Sequence, residues 1–214
     1  MKNKKLRIAN YAIPLLALLA FVLLYRRLPQ QVPLNWGFSG NVSYGSKTEL
    51  FMMFGLGVML ALLFDALPHI DPRKANYEKF GSYYDLFCVF MQVFLLLMDV
   101  IIITESFRPG TLSVPMIVFL LVGVLFLFLG NIMPKVKSNF FMGFKTPWAL
   151  SSEENWRRTQ RLGGKCLFIA GLLTILLAFL PNQELAFGLL MAVLIVACLI
   201  PVLMSWIWWR RQQY

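Results

Sequence analysis

LSVPMIVFLLVGVLFLFLGNIM, residues 112–133, runs for 22 residues without a charged side chain. As an α-helix it extends about 33 Å at 1.5 Å per residue, enough to cross roughly 30 Å of hydrocarbon. Five further stretches repeat the pattern: Ile8–Tyr25, Leu50–Leu67, Leu86–Thr104, Leu162–Leu180 and Leu185–Trp208. The fifth in chain order, Leu162–Leu180, has the shortest uninterrupted apolar core, and Lys165 at its entrance must carry its ammonium toward the headgroups. Pro14, Gly55, Gly57, Gly123, Gly171 and Pro201 fall inside these runs, where membrane helices tolerate them. The fold class expected is all-α, with six transmembrane helices.

Composition agrees. Of 214 residues, 59% are hydrophobic and only 14% charged, and the mean hydropathy is +0.69. A soluble domain carries about 25% charged residues, so this chain cannot cover a water-facing surface. Lys2, Lys4, Lys5 and Arg7 precede the first run as in a signal peptide, but Arg26-Arg27-Leu28-Pro29 follows it where small residues would be cleaved. An uncleaved first helix is expected. Cys88, Cys166 and Cys198 lie in apolar runs and read as buried small hydrophobes, and His69 is the only histidine. No multi-histidine metal site and no cofactor is expected.

The charge of +10 resolves into an orientation. Sixteen Lys and Arg fall in the N-terminal tail, the 68–85 and 134–165 segments and the C-terminal tail, against four (Arg26, Arg27, Lys47, Arg108) on the other side. Basic loops stay in the cytoplasm, so both termini are expected there, as an even number of spans requires. Anionic lipid headgroups are the natural partner of that charge, and nucleic acid is not.

Two polar segments stand out. RRLPQQVPLNWGFSGNVSYGSK, residues 26–47, is punctuated by Pro29, Pro33, Gly37, Gly40 and Gly45, with Trp36, Phe38 and Tyr44 suited to the interface. It reads either as a hairpin-like cap or as an outward-facing recognition surface. NIMPKVKSNFFMGFKTPWALSSEENWRRTQRLGGK, residues 131–165, is cytoplasmic in this topology. Ser151 and Glu154 have capping-box spacing, and Glu153/Arg157 and Glu154/Arg158 are i,i+4 pairs in the favourable order. A helix is expected from about Ser151, lying along the headgroups or running into the fifth span, with Trp148 and Trp156 marking the interface. Phe140-Phe141-Met142 either dips into lipid or packs beneath the bundle.

Ionisable groups in spans cost about 2.5 kcal/mol or more near the bilayer centre, so each calls for a reason. Asp65, Asp85, Asn131 and Lys165, with Arg161 in reach, fall near the inner ends of their helices. They form either a polar layer tying 134–165 to the bundle or separate groups snorkelling at the interface. Asp99 falls at the outer end, grouped with Glu105 and Arg108, and Gln92 near mid-membrane.

The segment N-x-M-P-K…N-x-x-x-G-x-K-T-P-W-x-L…W-x-x-T-x-R at 131–161 resembles the signature of the SdpI family, bacterial multi-span immunity proteins against a sporulation-delaying peptide toxin. The matching positions are Asn131, Pro134, Lys135, Asn139, Gly143, Lys145, Thr146, Pro147, Trp148, Trp156, Thr159 and Arg161. The family usually has Arg where Lys145 stands; Lys keeps the charge and loses the planar fork. The outer loop is similar to the short domain accompanying this family, LP-x-x-VP-x-HW-x-x-x-G and a later Lys. In this chain those positions are Leu28, Pro29, Val32, Pro33, Asn35 (where His is common), Trp36, Gly40 and Lys47. The resemblance implies a first helical hairpin over 1–68 and a four-helix SdpI-like region over 69–214.

It further implies a multi-pass protein of the bacterial cell membrane that protects the cell from a membrane-active peptide toxin. An alternative is a receptor that sequesters a cytosolic transcriptional regulator on residues 134–165. Export of the peptide is a third reading, weakened because the acids cluster at span ends rather than at the midplane. No GxSxG, HExxH or P-loop is present, and nothing asks for an enzyme.

Overall fold

Long apolar runs have one way to satisfy their backbone without water, the α-helix. A computed structural model describes residues 1, 3–37 and 41–212. Six helices in it are long and apolar enough to cross a membrane. They are α1 (Lys4–Leu24), α2 (Leu50–Ile70), α3 (Tyr77–Phe107), α4 (Val114–Ile132), α6 (Glu153–Leu177) and α7 (Gln183–Arg211), with a short α5 (Pro147–Ser151) before α6. The all-α expectation needs one correction. Between α1 and α2, β1 (Gln31–Trp36) and β2 (Val42–Ser46) pair antiparallel, Gln31 opposite Ser46 and Trp36 opposite Val42. The register shifts between Pro33 and Asn35, where proline has no N–H to give the ladder.

The chain forms two compact units. The first holds residues 1–66 and 85–118. Its core joins helices and hairpin: Ala17 and Phe21 of α1, Leu28, Val32 of β1, Leu50 and Phe54 of α2, and Ile102 of α3. Phe21 and Phe54 stack with centroids 4.5 Å apart. Deeper in the unit, Asn10 Nδ2 donates to the Ala61 carbonyl at 3.1 Å, and Gln92 Nε2 donates to the Gly57 carbonyl at 3.1 Å. Gly57 lets α1 approach: a Cβ there would stand 3.0 Å from Pro14 Cβ. Glu105 closes the turn into α4, accepting from the backbone N–H of Gly110 and Leu112 at 2.8 and 2.7 Å.

The second unit holds residues 67–84 and 119–214. In it α4 and α6 meet backbone to backbone. A Cβ on Gly164 would lie 2.7 Å from the Gly130 carbonyl, and one on Gly171 would lie 2.7 Å from the Gly123 carbonyl. Both pairs are seven residues apart on their helices, which is two turns and one face. Small residues at such crossings let membrane helices gain dispersion contact where no hydrophobic force drives them together. Outward-facing side chains are apolar, among them Leu172, Leu176, Ile195 and Leu203. Cys88 is buried as expected, whereas Cys166 is half-buried and Cys198 is exposed on this apolar surface.

Candidate functional site

The residues of the 131–165 signature gather in the second unit as a polar knot. After α4, a 3₁₀ turn at Met133–Lys135 carries the chain off the helix, and Asn139 then folds the following loop around its own side chain. Its Oδ1 accepts from the N–H of Phe141 and Met142 at 2.8 and 2.6 Å, and its Nδ2 donates to the carbonyls of Lys137 and Met142 at 2.8 and 3.0 Å. Buried and with all four hydrogen-bonding positions used, Asn139 is an internal template for the loop. Gly143 follows at φ +110°, a backbone angle that side chains resist. A Cβ there would also press to 2.6 Å from Gln160 Oε1.

Thr146 caps α5, its Oγ1 accepting from Ala149 N–H at 3.0 Å, with Pro147 in the first turn where no N–H is required. The same hydroxyl shares a hydrogen bond with Ser205 Oγ of α7 at 2.8 Å. Asn155 completes the link, donating from Nδ2 to the carbonyls of Trp148 and Ser205 at 2.8 and 2.9 Å. Thr159 donates to the Asn155 carbonyl at 2.8 Å. Trp156 is buried, and its Nε1–H donates to the Val136 carbonyl at 2.9 Å. It is therefore not the interface marker that its residue type suggests; Trp148 is half-buried. Within Phe140-Phe141-Met142, Met142 turns inward and the two phenylalanines are exposed.

The anchor of this loop differs from the expected one. Asp71 Oδ2 accepts from Phe140 N–H at 3.0 Å, and Arg73 donates to Ser138 Oγ and, at 3.2 Å, to the Leu150 carbonyl. Asn76 Nδ2 donates to the Ser138 carbonyl at 2.7 Å. Asp65 and Asp85, which one of the two readings has tying down 134–165 and the other snorkelling separately, are engaged by the N-terminal segment. Arg7 Nη2 lies 2.6 Å and Tyr11 Oη 2.9 Å from Asp65 Oδ2, the Met1 amine stands 3.3 Å from Oδ1, and Asn3 N–H donates to Asp85 at 2.7 Å. The start of α1 is the positive end of its helix dipole, so carboxylates suit it. Lys165 and Arg161 are exposed, as are Asn131, Pro134, Lys135 and Lys145. Lys135 rests 5.0 Å from the Tyr83 ring, and Lys145 donates to the Phe141 carbonyl at 3.3 Å.

The expected capping box does not form; Ser152, not Ser151, is a simple N-cap of α6, accepting from Asn155 N–H at 3.1 Å. Ser151 ends α5, its hydroxyl turned to the Trp148 carbonyl. Glu154 takes both Arg157 and Arg158 at 2.7 Å, so Arg157 pairs with Glu154 rather than Glu153. The helix runs straight into the fifth span.

In the first unit, the 26–47 loop folds as a hairpin. Lys47 is buried; its Nζ donates to the carbonyls of Tyr25 and Leu28 at 3.3 and 3.2 Å and sits 4.7 Å from the Tyr25 ring centroid. The lysine thus meets carbonyls at and beyond the negative end of α1. Ser46 and Glu49 form a capping box into α2. Pro33 is buried, Trp36 is half-buried against the core, and Pro29 and Asn35 are exposed. Gly40 and Phe38 lie outside the described residues. Asp99, grouped by the sequence with Glu105, faces a separate cavity. Among the described residues no set of three His, Cys, Asp or Glu is placed to hold a metal.

Sequence reading missed Asp71, Arg73, Gln160 and Ser205. Gln160 was recoverable: Asn155, Trp156, Thr159, Gln160, Gly163, Gly164 and Leu167 form one helical stripe, and all are buried.

Residues 135–205 match the SdpI/YfhL protein family, and residues 12–58 match a domain of unknown function (DUF1648). The chain is 22% identical over 207 residues to the immunity protein SdpI of Bacillus subtilis (strain 168), covering 97% of each chain. No solved structure matches. The first match takes in the knot from Lys135 to Ser205, and the second takes in the hairpin. On these similarities residues 135–205 form an SdpI/YfhL-like region, and the chain as a whole is similar to an immunity protein.

Proposed function

We propose that this membrane protein is an immunity protein, protecting the cell that carries it against a membrane-active peptide. The observation that carries the reading is similarity to an immunity protein along 97% of both chains, rather than over one shared helix pair. In this reading the termini and the 131–165 segment face the cytoplasm, as sixteen basic residues against four argue. The 26–47 hairpin then faces outward, where a toxin arrives. Residues 131–161 act as a keystone: their hydrogen bonds join them to one another and to α6, α7 and the 71–76 turn, which favours a positioning role over a docking site for a regulator.

The test is expression in a peptide-sensitive bacterium that lacks any cognate regulator, followed by challenge with membrane-active peptides. Survival above the empty vector at verified membrane abundance is expected. Death at the vector's rate across the peptides removes the immunity reading, and survival only when a regulator is co-expressed replaces it with the receptor reading.

A further inference from the structure

At the hairpin end of the first unit, a cavity of about 150 Å³ opens between α1, α2 and α3. Its walls are apolar, including Ala17, Phe21, Phe54, Leu96 and Ile103, with one ionisable group, Asp99. Among the described residues no hydrogen bond or ion pair reaches that carboxylate, whereas Asp65 and Glu105 in the same unit are each held by several donors. Asp99 lies eight residues before the end of α3, about 12 Å along the helix axis. A carboxylate among apolar walls costs free energy unless a cation meets it or a proton neutralises it. The alanines Ala17 and Ala20 leave the wall of α1 low beside it.

We infer that this cavity receives the cationic side chain, lysine or arginine, of a peptide lying in the membrane, with Asp99 as its counter-ion. Charge selects the occupant: an acyl chain or an apolar helix face leaves the carboxylate unmet, and an anionic lipid repels it. Alkyl carbons of the incoming lysine lie along Phe21, Leu96 and Ile103 while its ammonium reaches Asp99. The inference rests on the immunity reading only in identifying this peptide with the toxin; the binding itself is separable.

The experiment is a binding cycle on the full chain in phosphatidylglycerol nanodiscs. The probes are two dye-labelled Leu/Ala transmembrane peptides, one with a single lysine about 12 Å from its end and one with norleucine there. Wild type is expected to bind the lysine peptide at least about tenfold more tightly than the norleucine peptide. Asp99→Asn should bring the ratio near one, and Asp99→Glu should restore most of it. A ratio unchanged by Asp99→Asn overturns the proposal. Loss of lysine-peptide binding when phosphatidylethanolamine is added assigns the carboxylate to a lipid amine and also overturns it. Nanodisc-borne Asp99→Asn with wild-type unfolding temperature excludes misfolding as the cause. Parallel survival assays separate the two readings: binding without protection leaves this site standing and removes immunity.

Discussion

Gln160 grips the backbone of Phe144 with both ends of its amide: Oε1 accepts from the Phe144 N–H at 3.0 Å and Nε2 donates to the Phe144 carbonyl at 3.0 Å. A neighbouring β-strand would supply the same pairing; in this protein one fully buried side chain of α6 does so. It fixes the loop between Asn139 and Thr146 against the helix, and the Phe144 ring then covers Gly163, where a Cβ would meet the ring at 2.2 Å.

Replacing Gln160 with leucine keeps the volume and removes both bonds. A partly buried N–H and C=O are left unmet, each costing about 1–3 kcal/mol. Gln160→Glu keeps the acceptor for the Phe144 N–H but sets an oxygen against the Phe144 carbonyl in a fully buried site. Thermal unfolding in detergent should rank wild type above both variants, with amide exchange at Phe144 fastest in the leucine variant. Equal exchange in all three would mean that the amide does not hold the loop.

Gly143 and Gly110 share a positive φ, at +110° and +77°, but differ in their surroundings. A Cβ at Gly110 meets nothing within 4 Å, whereas one at Gly143 collides with Gln160. Gly110→Ala therefore incurs backbone strain alone, about 1–2 kcal/mol. Gly143→Ala incurs that strain and also displaces Gln160 from Phe144. The second variant should be the less stable by at least about 1 kcal/mol, and on top of Gln160→Leu it should add only its backbone strain, about 1–2 kcal/mol, because the contact with Gln160 is already broken.

Much of this architecture was legible. An apolar run such as 112–133 admits only one structure in lipid, so helix number followed directly. Partners did not. Asp65 and Asp85 have the depth to meet Lys165, but depth along the membrane says nothing of which neighbour lies beside a helix, and the start of α1 holds them instead. Ser151 and Ser152 both suit an N-cap, and the choice fell to Ser152 because Asn155, three residues on, turns inward to Ser205. Trp156 reads as an interface residue by type; its indole N–H instead turns inward to the Val136 carbonyl, a partner that no residue spacing announces.

Lys145 stands where the resemblance implies arginine, yet it is exposed and, among the described residues, makes one hydrogen bond, to the Phe141 carbonyl. Lys145→Arg should change stability by no more than about 0.5 kcal/mol, in the range of surface substitutions, and should leave survival on peptide challenge unchanged. Thr146→Val, one residue on, removes both the cap of α5 and the Ser205 link, and a lost cap alone costs about 1 kcal/mol. Unfolding of the two variants side by side checks the contrast; comparable losses would give Lys145 a role its contacts do not explain.

Asp65→Asn should loosen only the first unit. The variant loses the charge that holds Arg7 at 2.6 Å and the Met1 amine at 3.3 Å. Amide exchange and tryptic cleavage at Lys4 and Lys5 should rise, while protection of residues 131–165 stays at the wild-type level. Faster exchange across 131–165 would restore the tie between the Asp65 carboxylate and that segment which its depth in α2 suggests.

Gly164 is a close helix contact of the second unit, with Pro134 Cδ 2.9 Å and the Gly130 carbonyl 2.7 Å from where its Cβ would be. Backbone cannot swing aside as a side chain does, so Gly164→Val must part α4 from α6. That separation also drags Pro134 and the turn that delivers Val136 to Trp156. Overpacking costs typically about 1–3 kcal/mol, and an obstacle made of backbone places this variant at the upper end. Gly188→Val on α7 is the control, since nothing lies within 4 Å of its Cβ position and valine suits an apolar face. Folded yield in detergent should fall sharply for Gly164→Val and hold for Gly188→Val. A smaller second residue tests the cause: Gly164→Ala should fall between glycine and valine, because the obstruction begins at Cβ.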